Sequence, residues 1–309
     1  MNTRRRALAT VLSLAAAAAA QPPPGPHRTP PPQGRIAEGK REGNWVFFHP
    51  GGAKRSEGTY RAGVPEGRWT FFHPNGRVLS QGTFAAGKSE GAWEFFRPDG
   101  SKLSSGTFAS GQRIGVWSTY HPWGSVAKRE HYVGGRLHGR VVEYFPNGQR
   151  KEVCRFEHGR LEGRLLAWHL GGIRSQTGWY EKGRKTGEWI SYHPNGRRLL
   201  RGCYRDDAAE GEWQQWYEDG TLRVRGSYRG GKQHGVWTFW HANGRVAERG
   251  EFADDRRVGR WSEFHDNGVK SGEGDYVDGV RAGWKSWDPK GRELGAGDGQ
   301  RKRRTGRTP

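Results

Sequence analysis

The chain has 309 residues, a formal net charge of +20, 50 glycines and a hydrophobic fraction of only 32%. That balance excludes one deep globular core built on aliphatic side chains. Disorder is excluded in turn by 15 Trp, 10 Tyr and 13 Phe, so apolar burial must come from rings lying on glycine, in a core that is thin and long.

The N-terminus reads as a targeting segment, residues 1–20. Arg4, Arg5 and Arg6 form a charged head, Leu8 to Ala20 is a short apolar stretch, and Ala18-Ala19-Ala20 before Gln21 fits a small-residue cleavage site. The apolar stretch is too short for a stable membrane span. TRRRAL loosely resembles a twin-arginine signal but lacks a following phenylalanine, which leaves the export route open. No cysteine lies near the cleavage point, which argues against a lipid anchor. The expected location is therefore outside the cytosol, in the periplasm, the outer envelope or the medium. Residues 21–34, QPPPGPHRTPPPQG, read as an extended proline-rich linker.

From residue 35 to 291 the chain repeats. Glycines recur every 24 residues from Gly43 to Gly283 without insertion. Numbering each unit from that glycine, position 3 is Trp (Trp69, Trp93, Trp117) except at Val141 and Leu165. Position 6 is always aromatic (Phe72, Tyr144, Trp216), position 10 always glycine and position 18 always Tyr or Phe (Tyr60, Phe84, Tyr276). Position 16 is glycine in eight of ten units, with Glu130 and Cys154 as exceptions. The last unit drops one residue, as a capping copy does.

Each unit reads as two strands. WTFFH alternates and is rich in β-formers. In HPNG, Pro74 presets φ, Asn75 tolerates the bridge region and Gly76 supplies positive φ, so a type I turn with a glycine bulge is expected. RVLSQGTF is the return strand and AAGKSEG links to the next unit. The fold class is all-β: an elongated single-layer antiparallel meander of about eleven 24-residue hairpin repeats, roughly twenty strands and, at ~4.8 Å per strand, on the order of 100 Å long. Positions 3 and 6 point to opposite faces. With the bulge, 6 pairs with 12, and 6, 16 and 18 share a face. A two-residue loop would instead set 3 opposite 16. The proline favours the bulge. Residues 292–309 lack aromatics and period and read as a disordered basic tail.

The unit GTYRAGVPEGRWTFFHPNG, residues 58–76, resembles the MORN repeat in its longer bacterial variant, as in YwqK-like proteins: G-x-[YF]-x-x-G-x-x-x-G-x-W-x-x-[FYW], then x-N-G. The resemblance implies a single-layered sheet and a binding or scaffolding role with membrane or protein partners. YwqK-like proteins are labelled toxin–antitoxin antitoxins. It supplies no catalytic residue.

Histidine recurs at position 7, for example His49, His73 and His193. Neighbours in that row stand roughly 10 Å apart, too far to share one metal, so each imidazole is expected to bond the adjacent turn backbone. Cys154 and Cys203 lie two units apart and are expected as free thiols. The Trp series is expected as core in preference to a sugar platform. Acids fall at scattered positions such as Glu143 and Glu263, and no nucleophile motif or phosphate-binding loop is present. No enzyme activity, cofactor or metal is expected.

Charge is the feature that points to function. Position 22 holds Lys40, Lys88, Arg136, Arg160, Arg184, Lys232 and Arg256. Placed in the inter-unit loops, these would make a basic row along one edge, a track for a protein or an anionic envelope component. Export disfavours nucleic acid. A monomeric scaffold that binds along its length is the leading expectation; a one-to-one antitoxin-like or immunity-like protein is the alternative.

Overall fold

Residues 29–295 are described in a computed structural model. The expected leader, residues 21–28 of the proline-rich stretch and residues 296–309 of the basic tail lie outside them. Twenty-five strands, from Gln33–Ala37 to Glu293–Leu294, form one open antiparallel sheet in which each strand pairs with its chain neighbours. No helix occurs among the described residues. Strand pairing thus begins inside the proline-rich stretch and continues past residue 291. The count exceeds twenty partly because two strands are interrupted, at His138 and at Glu162.

One tile shows how the sequence builds this. The strand Val64–Phe72 carries the WTFF segment. In the turn that follows, the Gly76 amide donates to the His73 carbonyl at 2.9 Å, and the His73 amide donates to the Arg77 carbonyl at 2.8 Å. Gly76 has φ +82°. This is the expected type I turn with a glycine bulge, and Phe72 faces Val78, position 6 against 12, as expected.

The register beyond the turn corrects the expected distribution of faces. A second bulge follows at once. Phe71 pairs with Ser80, which leaves Leu79 as an extra residue, and Trp69 then pairs with Gly82. Position 3 therefore sits opposite 16 after all. Because side chains alternate, one extra residue moves everything beyond it to the other face. Positions 3, 5, 14, 16 and 18 share an aromatic face. Position 6 lies on the opposite face with positions 2, 4, 15 and 17, where Tyr144 neighbours Val142 and Tyr192 neighbours Ile190.

The link between tiles is a two-residue turn. Ala86 (φ +48°) and Gly87 (φ +76°) both adopt positive φ, and Ala85 pairs with Lys88, which is the type I′ geometry that matches strand twist. Asp207 and Asp255 take the second place at φ +68°. The invariant glycine at position 1 has a separate cause. Thr59 pairs with Glu66 but Gly58 with Trp69, so Gly67 and Arg68 form a bulge on that side. The position 1 glycines span φ +56° to +93°, a region costly for any residue with a Cβ.

The core is a ladder of rings on the aromatic face. Each Trp at position 3 lies flat on the position 16 glycine of the preceding unit: a Cβ built on Gly82 would overlap the indole of Trp93, and one on Gly106 that of Trp117. Except at Trp213, the indole N–H donates to the carbonyl of position 17 in that unit, as from Trp93 to Thr83 and from Trp117 to Thr107, both at 3.1 Å. The ring at position 18 stands edge-on between successive indoles. Phe84 meets Trp69 at 5.9 Å and 79°, then Trp93 at 5.2 Å and 90°. These T-shaped contacts add to the area buried. Trp261 is 0% exposed and Trp117 2%, so the Trp series is core, as expected, and leaves no free ring face for a sugar.

The two exceptions in the repeat are coupled by this contact. Glu130 and Cys154 replace glycine at position 16, and the next position 3, which would have to cover them, is Val141 and Leu165. An indole cannot lie over a residue that has a Cβ. Val141, Cys154 and Leu165 instead form a small aliphatic cluster against Trp189. Both cysteines are free, Cys154 buried and Cys203 exposed. Burial pushes the Cys154 thiol up to about 12.

Two outcomes follow. Gly106→Ala lowers stability by about 1–3 kcal/mol through overpacking, and combined with Trp117→Val the loss is smaller than the two single losses added; a double-mutant cycle in urea measures the coupling, and strict additivity would contradict the ring-on-glycine contact. A maleimide at pH 8 labels Cys203 alone in the folded chain and both cysteines in denaturant, counted by intact mass.

Candidate binding surface

The sheet has two long edges made of turns, and each is zipped tile to tile. On the outer edge, the position 7 imidazole Nε2–H donates to the next unit's position 6 carbonyl: His49 to Phe72 at 2.9 Å, His73 to Phe96 at 3.0 Å, His193 to Trp216 at 3.1 Å. This is the backbone bond expected of the row. Where histidine is replaced, Tyr217 donates its hydroxyl to the Trp240 carbonyl at 2.8 Å and Arg97 reaches the Tyr120 carbonyl. Asn75 and Asn195 at position 9 donate to the Pro98 and Glu218 carbonyls at 2.7 Å. Asp99 and Asp219 at the same position accept from residues two further on; the Ser101 hydroxyl and amide hold Asp99 below the usual carboxylate range, and the Thr221 amide and hydroxyl do so for Asp219.

On the inner edge the second turn residue donates its amide one unit back, Gly87 to the Pro65 carbonyl at 3.0 Å and Gly111 to the Ser89 carbonyl at 2.8 Å. A set of acids completes this edge. Glu42, Glu66, Glu90, Glu162 and Glu210, all at position 24, accept the amide of the first residue of the next turn at 2.8–3.0 Å. Sequence reasoning treated the acids as scattered. Their common spacing was the signal, and these five hold the edge together.

The position 22 residues do not lie in loops. Lys40, Lys88, Arg136, Arg160, Arg184, Lys232 and Arg256 each open the strand that leaves the type I′ turn. The two-residue turn is shorter than the expected connection, so strand begins one residue after the glycine. All seven are exposed. The stems are aligned by stacking: the Cβ of Lys40 lies 3.6 Å from the Cβ position of Gly63, and those of Lys88 and Arg160 3.8 Å from the positions of Gly111 and Gly183. Arg184 approaches Asp206 at 3.4 Å with both groups exposed, a pair worth little in water.

The structure adds basic residues that the spacing alone did not select. Position 19 pairs directly with position 22, and where Val64 and Ala208 interrupt the row, Arg61 and Arg205 stand opposite them. Arg229 stands opposite Lys232. In the middle of the array the same register sets Glu157 and Glu181 opposite Arg160 and Arg184. The inner edge is therefore strongly basic towards both ends and partly compensated between them.

Position 23 faces the other way and caps the core. Arg113 lies 4.2 Å from the Trp117 ring centroid, Lys185 4.4 Å from Trp189, Arg257 4.1 Å from Trp261 and Arg281 3.8 Å from Trp284. These cation–π contacts shield the indoles from solvent. No group of three or more His, Cys, Asp or Glu side chains placed to hold a metal occurs among the described residues, and no helix among them is long and apolar enough to cross a membrane.

Five segments of the chain, residues 65–86, 137–158, 185–206, 209–229 and 233–254, match the MORN repeat variant family. No curated protein matches. Solved structures of TcdB2-TccC3 and of the Photorhabdus luminescens Tc holotoxin pore are similar to the chain at 14% identity. The first covers 84% of this chain and 16% of its own, the second 82% and 15%, both with a TM-score of 0.19. The chain spans about one sixth of their length, and a likeness that weak transfers none of their properties. What the family comparison shows is that five segments of the array are similar to the MORN repeat variant.

Proposed function

We propose that the protein is an exported, non-enzymatic repeat scaffold that binds an anionic envelope component or a protein with an acidic surface along its inner edge. The observation that carries this reading is the row of exposed cations at position 22, held in line by glycine turns and extended by Arg61, Arg205 and Arg229. A rigid array of like charges at a fixed pitch favours a ligand that is itself repetitive or planar. Each added unit then contributes to one binding event, and each cation near an anionic surface adds about 1 kcal/mol. The indoles are buried and the turn acids are bonded to backbone amides, whereas these heads point to solvent. The non-enzymatic reading is supported by the matched family, which describes a repeat and not a catalytic site.

The test is co-sedimentation with vesicles containing anionic lipid. Binding should fall steeply between low and high salt, as screening requires. Replacing Lys88, Arg136, Lys232 and Arg256 together by Gln should cost about 4 kcal/mol, or roughly a thousandfold in affinity, with the circular-dichroism spectrum unchanged. Salt-independent one-to-one capture of a single protein would favour the immunity-like alternative and overturn this one. Export has its own readout: the mature chain should begin near Gln21, and an intact N-terminus on protein isolated from its native cell would remove it.

A further inference from the structure

The face opposite the rings carries a second feature, separate from the inner edge. In four tiles an arginine on this face is bonded across its own hairpin, between positions 2 and 15. Arg201 bonds Glu188 and Arg225 bonds Glu212, each at 2.6 Å. Arg260 bonds Glu273, and Arg68 donates to Gln81 at 3.2 Å.

In the middle of the array this pattern stops. Arg140 and Arg155 face each other directly across adjacent strands. Cross-strand partners have their Cβ atoms about 5 Å apart, and like charges set there repel. Arg129 stands opposite Val142, and Arg150 opposite Tyr144. All four arginines are exposed and line one groove, floored by Val142 and Tyr144. None of the four has an ion pair among the described residues. One acid of this stretch, Glu157, shares the arginine face, at the turn edge opposite Arg160; the others lie elsewhere. Alternation sends Glu130, Glu143 and Glu152 to the ring face, where Lys128 holds Glu130 at 2.8 Å and Glu143 at 3.6 Å. Glu130 adjoins the groove but is committed to that lysine. The strand alternation leaves four guanidinium groups together on one side of the single layer, with Glu157 at its edge.

We infer that this groove binds a ligand carrying adjacent phosphoryl groups. A guanidinium grips a phosphoryl group through two parallel N–H···O bonds. One di- or triphosphate brings several negative charges into the span of two strand spacings, roughly 10 Å. Carboxylates would need one centre for every charge in the same space. Binding removes the repulsion between Arg140 and Arg155, so the free groove is the less stable state of the pair. The site does not depend on the position 22 row, which lies at the turn edge.

The experiment is isothermal titration of the full-length protein with inorganic tripolyphosphate at moderate salt. One ion should bind per chain. Arg140→Gln with Arg155→Gln should weaken it at least tenfold, while Lys88→Gln with Lys232→Gln on the inner edge should leave it unchanged. The double arginine variant should also unfold at no lower urea concentration than the parent, because a repulsive pair has been removed. Equal affinity in the groove variant and the parent would overturn the site. So would displacement of tripolyphosphate by an acidic Glu-rich peptide at lower concentration, which would make the groove a docking surface for protein. Binding to phosphatidic acid vesicles that tripolyphosphate fails to compete would overturn the soluble ligand in favour of a lipid head group.

Discussion

An indole lying on a glycine is the contact from which the rest of this protein follows. In a single-layered sheet there is no second layer to bury a ring, so the ring must fold down onto its own sheet. That is possible only where the neighbouring residue has no side chain. Position 16 supplies the bare backbone, the position 17 carbonyl orients the ring through its N–H, and position 18 closes the gap edge-on. Each indole thereby joins one tile to the tile before it. The core is as long as the array and one ring thick, which is why 32% hydrophobic residues suffice.

The same contact explains the strictness of the 24-residue period. A ring must land on a glycine eleven residues earlier in the chain, through one bulge and a type I′ turn. Any insertion between them would turn the ring to the wrong face. Where the contact is absent, both halves differ: Glu130 with Val141, and Cys154 with Leu165. The edges are constrained just as tightly but by polar groups. His or a substitute donor at position 7 and Glu at position 24 satisfy turn groups one unit away. Single-layer edges are where unpaired backbone groups would accumulate, and these side chains remove them.

With the ring face and both turn edges occupied by structure, the heads at position 22 and the opposite face are where side chains vary without disturbing the tile. Charge there is arranged by register and not by local sequence. Arg61 completes a gap left by Val64 because positions 19 and 22 are cross-strand partners. Arg140 and Arg155 confront one another because positions 2 and 17 are partners, whereas Arg225 meets Glu212 through the diagonal contact between positions 2 and 15. A polyanion would therefore meet two different electrostatic features on one ribbon, a line and a cluster.

Period, strand count per unit, the outer turn and the burial of Trp were all legible in the residues, because each rests on a local rule: glycine spacing, β-alternation, proline and asparagine in a turn. The histidine bonds could be deduced from the pitch of the sheet. What the chain alone did not disclose is where Leu79 drops out of the pairing, since a bulge in the middle of a strand has no marker as plain as a glycine turn. That one residue decides that Trp69 rather than Phe72 shares a face with Gly82. The two-residue turn between tiles places the position 22 cations on strands, and the pairing of one tile with the next sets the position 24 acids against turn amides and four arginines in one groove. Local propensity determined the tile. The pairing of one tile with the next, a balance of ring burial against backbone hydrogen bonding across many residues, decided which side chains the finished ribbon presents.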